Sequence, residues 1–336
     1  GKNVVFDYEI GEARILDFPC ADQSAGEPIF TRTLEFQSNA SGLKVWLGPT
    51  ELSMELKIKG QSDAKIIKED DSLYLVIEKA NKGDVLLLAM AKKVAKGILL
   101  SKLSDYKTLP SELVKPSSPV WPEYIQVKGS LGKLRENASY VVDTIHPPLE
   151  NPYKTVMQLT GIDFLRNGDA LITVLCGEVW KVSGLDGDLD NVTWKRFATG
   201  LNQPIGIHID NDGVFVLCRD QITRLHDLNG DDEADRYECY TNDFGGYDRS
   251  HTHVFGLHRA SDGSFSFVRR EQLVRTSPDP ERKTTEIAYG VRNCMGVGGA
   301  PDGPFLVAPQ EGTWTPTSAI LEVTKNAFFG LPGNRK

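Results

Sequence analysis

The chain has 336 residues, long enough for two domains with separate cores, and its 40% hydrophobic and 25% charged content is that of an ordinary globular protein. A net charge of −8 argues against a nucleic-acid partner, which would need a basic field, and no run of 18 apolar residues is present to span a membrane. The five scattered cysteines, Cys20, Cys176, Cys218, Cys239 and Cys294, show no CxxC spacing, which excludes a structural zinc and a covalently attached haem in this segment. The start at Gly1, without a signal peptide, reads as a mature or trimmed segment.

Residues 1–103 read as short strands. The segments 3–8, 33–36, 43–47 and 72–77 are rich in β-branched and aromatic residues, and several alternate apolar with polar. Helical periodicity is weak, with 89–99 its best candidate and a strand the alternative there. An antiparallel β-sandwich-like accessory domain follows from this pattern. Residues 104–135 carry Pro110, Pro116, Pro119 and Pro122 among Ser and Lys, which predicts an extended linker. Residues 140–145 read as an opening strand, and a second domain is expected over 136–336.

That second domain is built on a repeat. Gly161, Gly206, Gly256 and Gly296 are each followed six positions on by Asn-Gly or Asp-Gly: Asn167-Gly168, Asp212-Gly213, Asp262-Gly263 and Asp302-Gly303. Successive copies lie 45, 50 and 40 residues apart, a period that belongs to β-propeller blades. The grammar is strand, turn, strand, strand, and the Asn-Gly and Asp-Gly pairs predict two-residue hairpins with φ > 0 at both positions. Cys176 and Cys218 end equivalent second-strand runs and read as buried thiols. Four units are visible, so the fold class is all-β, with either a closed four-bladed ring or a truncated larger one.

Two clusters carry candidate chemistry. Asp227, Asn229, Asp231, Asp235 and Glu238 fall at positions 1, 3, 5, 9 and 12 of a twelve-residue loop, the spacing of a calcium loop, although Asp232 replaces the usual glycine at position 6. A bound Ca2+ bracing the loop and a solvated acidic turn are the two readings. His251 and His253 precede the third repeat and share one face if extended, which makes either a candidate general base. His146, His208 and His226 stand alone and read as structural. In the fourth repeat, Arg292 offers a planar fork for carboxylates and Asn293 both donates and accepts; both precede the blade's first strand, as His251 and His253 do.

The run Gly290-x-Arg292-Asn293, followed by Asp302-Gly303, Gln310-Glu311-Gly312 and Phe329-Gly330, resembles the glucose/sorbosone dehydrogenase family. Those are six-bladed propellers, many of which use pyrroloquinoline quinone (PQQ). The resemblance implies that Arg292, Asn293 and Gln310 contact the quinone and that His251 or His253 abstracts the substrate proton; Cys294 stands where the family usually has proline.

A wider resemblance covers most of the chain. Thr160-Gly161-x-Asp163-Phe164, Gly177-x-x-Trp180, residues 198–204 and the long segment 219–230 are similar to large secreted bacterial proteins. These join an N-terminal β-domain to a dehydrogenase-like propeller and a c-type cytochrome domain. It implies that this is an N-terminal fragment, periplasmic or secreted, with the last blades and the haem domain beyond Lys336. The function expected is a PQQ-type sugar or alcohol dehydrogenase passing electrons to that haem domain. The alternative is a non-catalytic, calcium-braced propeller binding a glycan or protein.

Overall fold

A computed structural model of the chain describes residues 4–22, 28–92, 98–99, 101, 103, 108–116, 118–134, 137–245, 253–310 and 318–331. The chain divides into two compact units, Gly1–Pro116 and Ser117–Lys336. Among the described residues no helix is long and apolar enough to cross a membrane.

The first unit holds β1 (Phe6–Ile10), β2 (Ala13–Asp22), β3 (Ile29–Phe36), β4 (Ala40–Pro49), β5 (Leu52–Lys59), β6 (Asp63–Glu69), β7 (Ser72–Ala80) and β8 (Val85–Lys92). They form two antiparallel sheets, in orders β1-β2-β3-β8-β5 and β4-β7-β6. One core is drawn from both, with Ile15, Leu34, Phe36, Leu86 and Leu88 of the larger sheet packing with Leu47, Leu75 and Ile77 of the smaller. This is the expected sandwich.

Of the segment 89–99, residues 89–92 belong to strand β8 and residues 98–99 are helical, while 93–97 lie outside the described residues. Leu86 and Leu88 point into the shared core, while Val85, Leu87, Ala89 and Ala91 join a second cluster with Ile29, Leu99 and Leu103. A strand buried on both faces reads as a continuous apolar run and shows no alternation. The part of the expected linker nearest this unit is folded onto it. Leu109 packs on the second cluster, a short helix α1 (Pro110–Leu113) follows, and Ser111 donates its backbone N–H to buried Glu35 at 2.8 Å.

The second unit begins with β9 (Tyr124–Val127) and continues as four sheets. The first contains β10 (Leu159–Phe164), β11 (Ala170–Val174), β12 (Glu178–Ser183) and β13 (Val192–Ala198), with β9 paired outside β13 as a fifth strand. The next two are β14 (Gly206–Asp210), β15 (Gly213–Leu217), β16 (Ile222–His226) and β17 (Arg236–Thr241), then β18 (Val254–Arg259), β19 (Phe265–Arg269), β20 (Gln272–Thr276) and β21 (Thr284–Tyr289). The last comprises β22 (Gly296–Gly298), β23 (Leu306–Ala308) and β24 (Leu321–Glu322). First strands neighbour one another in the series β10, β14, β18, β22, the arrangement of propeller blades. Alternation along each second strand feeds the two inter-blade cores. Val214 and Val216 of β15 pack toward the first blade, and Phe215 and Leu217 pack with Val254, Phe265 and Phe267 of the third.

Two expectations need correction. The Asn-Gly and Asp-Gly turns are not hairpins with two left-handed residues: Gly168, Gly213 and Gly263 have φ of +89°, +138° and +84°, but Asn167, Asp212 and Asp262 do not have positive φ. At two of these turns the Asn or Asp instead acts through its side chain, accepting the N–H two residues on, from Asp169 to Asn167 (3.1 Å) and from Ser264 to Asp262 (2.9 Å), and at the second turn Asp210 accepts from the Asp212 N–H at 2.8 Å. Residues 140–145 form no strand either, since Thr144 pairs only at a single bridge with Ser130. In place of an opening strand, β9 comes from the Pro-rich segment. Upstream of it, the N–H groups of Val120 and Trp121 donate to the buried Glu233 carboxylate. The Trp121 and Tyr153 rings flank the guanidinium of Arg196, whose Nη2 donates to Glu178 at 2.5 Å.

The repeat's leading glycines have a different purpose from the turn glycines. A Cβ on Gly206 would lie 2.6 Å from the Gly256 carbonyl oxygen, and one on Gly161 would lie 3.0 Å from the Ile205 carbonyl oxygen. One on Gly256 would overlap the Val297 side chain. Each glycine thus admits the next blade's first strand. Gly168, by contrast, faces open space and is needed only for its φ. Gly256→Ala, which adds both a clash and a left-handed Cβ, should lose about 2–4 kcal/mol in urea unfolding, against about 1–2 kcal/mol for Gly168→Ala. Equal losses for the two would refute the inter-blade role.

Candidate functional site

Antiparallel strands reverse direction at every turn. The loop before a blade's first strand and the loop between its second and third strands therefore lie at one end of the blades. Turns between first and second strands, and between third and fourth, lie at the other. This divides the sequence-predicted residues into two groups.

At the first end are His253, Arg292, Asn293 and Gln310. Arg292 and Asn293 lie between β21 and β22, and Gln310 follows β23. The structure brings these three together. The Gln310 backbone N–H donates to the Arg292 carbonyl at 2.9 Å, and the Asn293 carboxamide donates to Gln310 Oε1 at 3.4 Å. Beside them opens a cavity of about 210 Å3 lined by Arg270, Glu271, Val291, Arg292, Asn293 and Leu331. His253 sits at the start of β18 with its ring edge-on to Phe255, on the same end of the blades. His251 and Glu311 lie outside the described residues.

Counting back three residues from each repeat glycine gives Gln158, Gln203, His253 and Asn293. Each repeat thus carries a hydrogen-bonding residue type at this offset, just before or at the start of the blade's first strand. Gln203 and Asn293 hold left-handed backbone there, with φ of +47° and +36°. Gln203 accepts a hydrogen bond from Arg219 at 3.1 Å, much as Asn293 bonds to Gln310. Cys294, next to Asn293, is buried with Phe255, Val268 and Leu273, and burial pushes its thiol up to about 12. It serves as a small apolar filler. All five cysteines are unpaired, and Cys176 proves exposed whereas Cys218 is buried. Arg270 and Glu271 had not been singled out in the sequence. What reveals them is their turn between β19 and β20, which shares an end with Arg292.

The acidic loop lies at the opposite end, between β16 and β17, and its five predicted calcium ligands are not brought together. Asp227 accepts backbone N–H groups from Gly230 (2.7 Å) and Asp232 (3.0 Å), Asn229 donates to Asp231 at 3.0 Å, and Asp235 accepts from Leu228 at 2.8 Å. Glu238, the supposed final ligand, faces basic side chains instead, with His226 Nε2 at 3.0 Å and Arg282 at 3.1 Å. Among the described residues no group of three or more His, Cys, Asp or Glu side chains is arranged for a metal ion. The donor set does not fit calcium, and the cations at this loop are the chain's own. Lys195, 2% exposed, donates to the carbonyls of Asp231 (2.8 Å) and Asp232 (3.0 Å). Lys181 bridges Asp232 at 2.7 Å and Asp169 at 3.0 Å. Burial pulls the Lys181 ammonium down, but the two carboxylates more than reverse this and its pKa is raised.

At the same end, Arg259 joins Asp210 (2.6 Å) and Asp212 (2.8 Å) and lies over the rings of Phe215 and Phe265. His208 contacts Asp210 at 3.2 Å, and buried His258 stacks on Phe305. His208 thus bonds within its own strand, and His258 packs on the turn between the first two strands of the next blade.

A family model described as a domain of unknown function (DUF7133) matches residues 180–287, from the first blade through the third. Comparison with curated proteins returns no match. Among solved structures, the chain is similar to an oxidoreductase assigned as a glucose dehydrogenase from Thermus thermophilus, at 14% identity and a TM-score of 0.41. That match covers 52% of this chain and 64% of the other, less than two thirds of its length. The PQQ domain of pyranose dehydrogenase from Coprinopsis cinerea matches at 14% identity and a TM-score of 0.39, over 46% of this chain and 44% of that one. Virginiamycin B lyase from Staphylococcus aureus matches at 12% identity and a TM-score of 0.34, over 56% of this chain and 63% of that one.

Two outcomes are expected. Calcium in excess, or EDTA, should leave Tm unchanged to within about 1 °C, since the lysines of the first blade supply the positive charge at this loop. Lys195→Met should cost about 2–3 kcal/mol by stranding two carbonyls; a calcium-dependent rise in Tm would refute this account. The second concerns pH. Burial pushes the Asp210 carboxyl up, and Arg259 more than reverses it, so the folded pKa lies below the usual carboxylate value of 3.8. The unfolded state then binds more protons in that window, and stability present at neutral pH is lost as the pH falls below about 4. Arg259→Gln should flatten this acid limb, measured by urea unfolding from about pH 6 to pH 3.

Proposed function

We propose that the second unit is the propeller of a quinone-dependent dehydrogenase acting on a sugar or alcohol. The carrying observation is that Arg292 and Asn293 line one cavity, with Gln310 hydrogen-bonded to both beside it. A guanidinium fork and a carboxamide suit a ligand rich in carboxylate and carbonyl oxygens, so the donor set fits PQQ. The quinone, when bound, supplies a two-electron acceptor. Arg292 and Asn293 hold and orient it, and the Gln310 backbone braces their loop. His253 or His251 takes the proton of the substrate hydroxyl at a ring nitrogen, which needs a base poised near neutral pH. As part of the same reading, the protein is periplasmic or secreted, and the electrons pass onward to a c-type cytochrome domain.

Reduction of a dye acceptor by the protein with added PQQ and a panel of aldoses and alcohols tests the reading. His253→Ala or His251→Ala should lower kcat by about 10²–10⁴-fold, identifying the base. Arg292→Ala should weaken PQQ binding by about tenfold or more. Absence of PQQ binding by the unsubstituted protein would sink the proposal.

A further inference from the structure

We propose that Arg270 is a further anion-binding residue of the cavity, gripping together with Arg292 a carboxylate of the ligand. The inference rests on the reading of that cavity as the ligand site, and it adds a residue that no sequence motif marks. Arg270 opens the two-residue turn between Arg269 and Gln272, which pair across β19 and β20. Its φ is +59°, while Glu271 beside it is not left-handed. A two-residue hairpin with positive φ at its first position alone is the type II′ pattern, whose first position is ordinarily glycine. A long, Cβ-bearing side chain therefore stands where the backbone favours none.

The same cavity holds a second such residue. Asn293, with φ of +36°, also lines it, so two of the described lining residues have left-handed backbone. Strain of this kind persists where the surrounding structure holds it, and it gathers at ligand clamps. The charges agree with that role. Two guanidiniums, Arg270 and Arg292, face one carboxylate, Glu271, whose Oε2 stands a loose 3.8 Å from Arg270 Nε. The chemistry recognised is a carboxylate on an organic ligand, either the quinone's own or that of an acidic sugar.

Arg270→Gly separates the binding role from a structural one, because glycine removes the guanidinium and relieves the turn together. Titration calorimetry with PQQ and with glucuronate, alongside thermal unfolding of the same samples, provides the readouts. The expected result is about tenfold or greater weakening of PQQ binding with Tm unchanged or raised, and partial recovery in Arg270→Lys, which restores charge without the planar fork. Binding of glucuronate alone, with the same dependence on Arg270, would support the anion site and overturn the quinone reading. PQQ binding equal to that of the unsubstituted protein would overturn the role of Arg270 and leave the quinone reading standing. A fall in Tm in Arg270→Gly would mark the residue as a structural brace and overturn the proposal. Binding of neither ligand to the unsubstituted protein would overturn both.

Discussion

The second unit depends on how closely its first strands approach one another. At Gly161, Gly206 and Gly256 the neighbouring blade comes within the space a single methyl would need. That approach sets the blades face to face, and the alternating side chains of each second strand then fill two cores at once. Everything at the ends of the blades inherits this spacing. The residue three positions before each glycine lies at the same end of its blade, which is how Asn293 and His253 come to share an end.

Much of the architecture could be read from the repeat alone, since a glycine required at every blade contact recurs at blade spacing. The sandwich could be read from β-rich segments, and Arg292, Asn293 and Gln310 from a motif. What stayed hidden had physical causes. Strand β8 is buried on both faces and so lost its alternation; β9 lay among prolines that serve as edge and boundary residues rather than as breaks. The turns kept the expected residues but used the Asn and Asp side chains as acceptors in place of left-handed backbone. Arg270 was illegible because its importance lies in a backbone angle.

The acidic loop shows how spacing can mislead. Its carboxylates and amides match a calcium loop in sequence, yet Glu238 is on a strand facing Arg282 and His226. The positive charge the loop requires arrives from the first blade, as the ammonium groups of Lys195 and Lys181. This ties two blades through ion–carbonyl contacts that withstand chelators. It also leaves the two ends of the blades with different work: the loop end fastens blade to blade, and the arginine end presents an open cavity.

The fifth strand of the first blade comes from upstream of the repeats, and this bears on modularity. With β9 on β13, Val120 and Trp121 bound to Glu233, and Trp121 beside Arg196, the array is hemmed on its outer side by chain that belongs to no repeat. A protease cut at about residue 130 would leave a bare strand edge able to recruit foreign β-strands. The repeat boundary and the folding boundary are therefore different places, and shuffling of blades between proteins would have to carry the Pro-rich segment along.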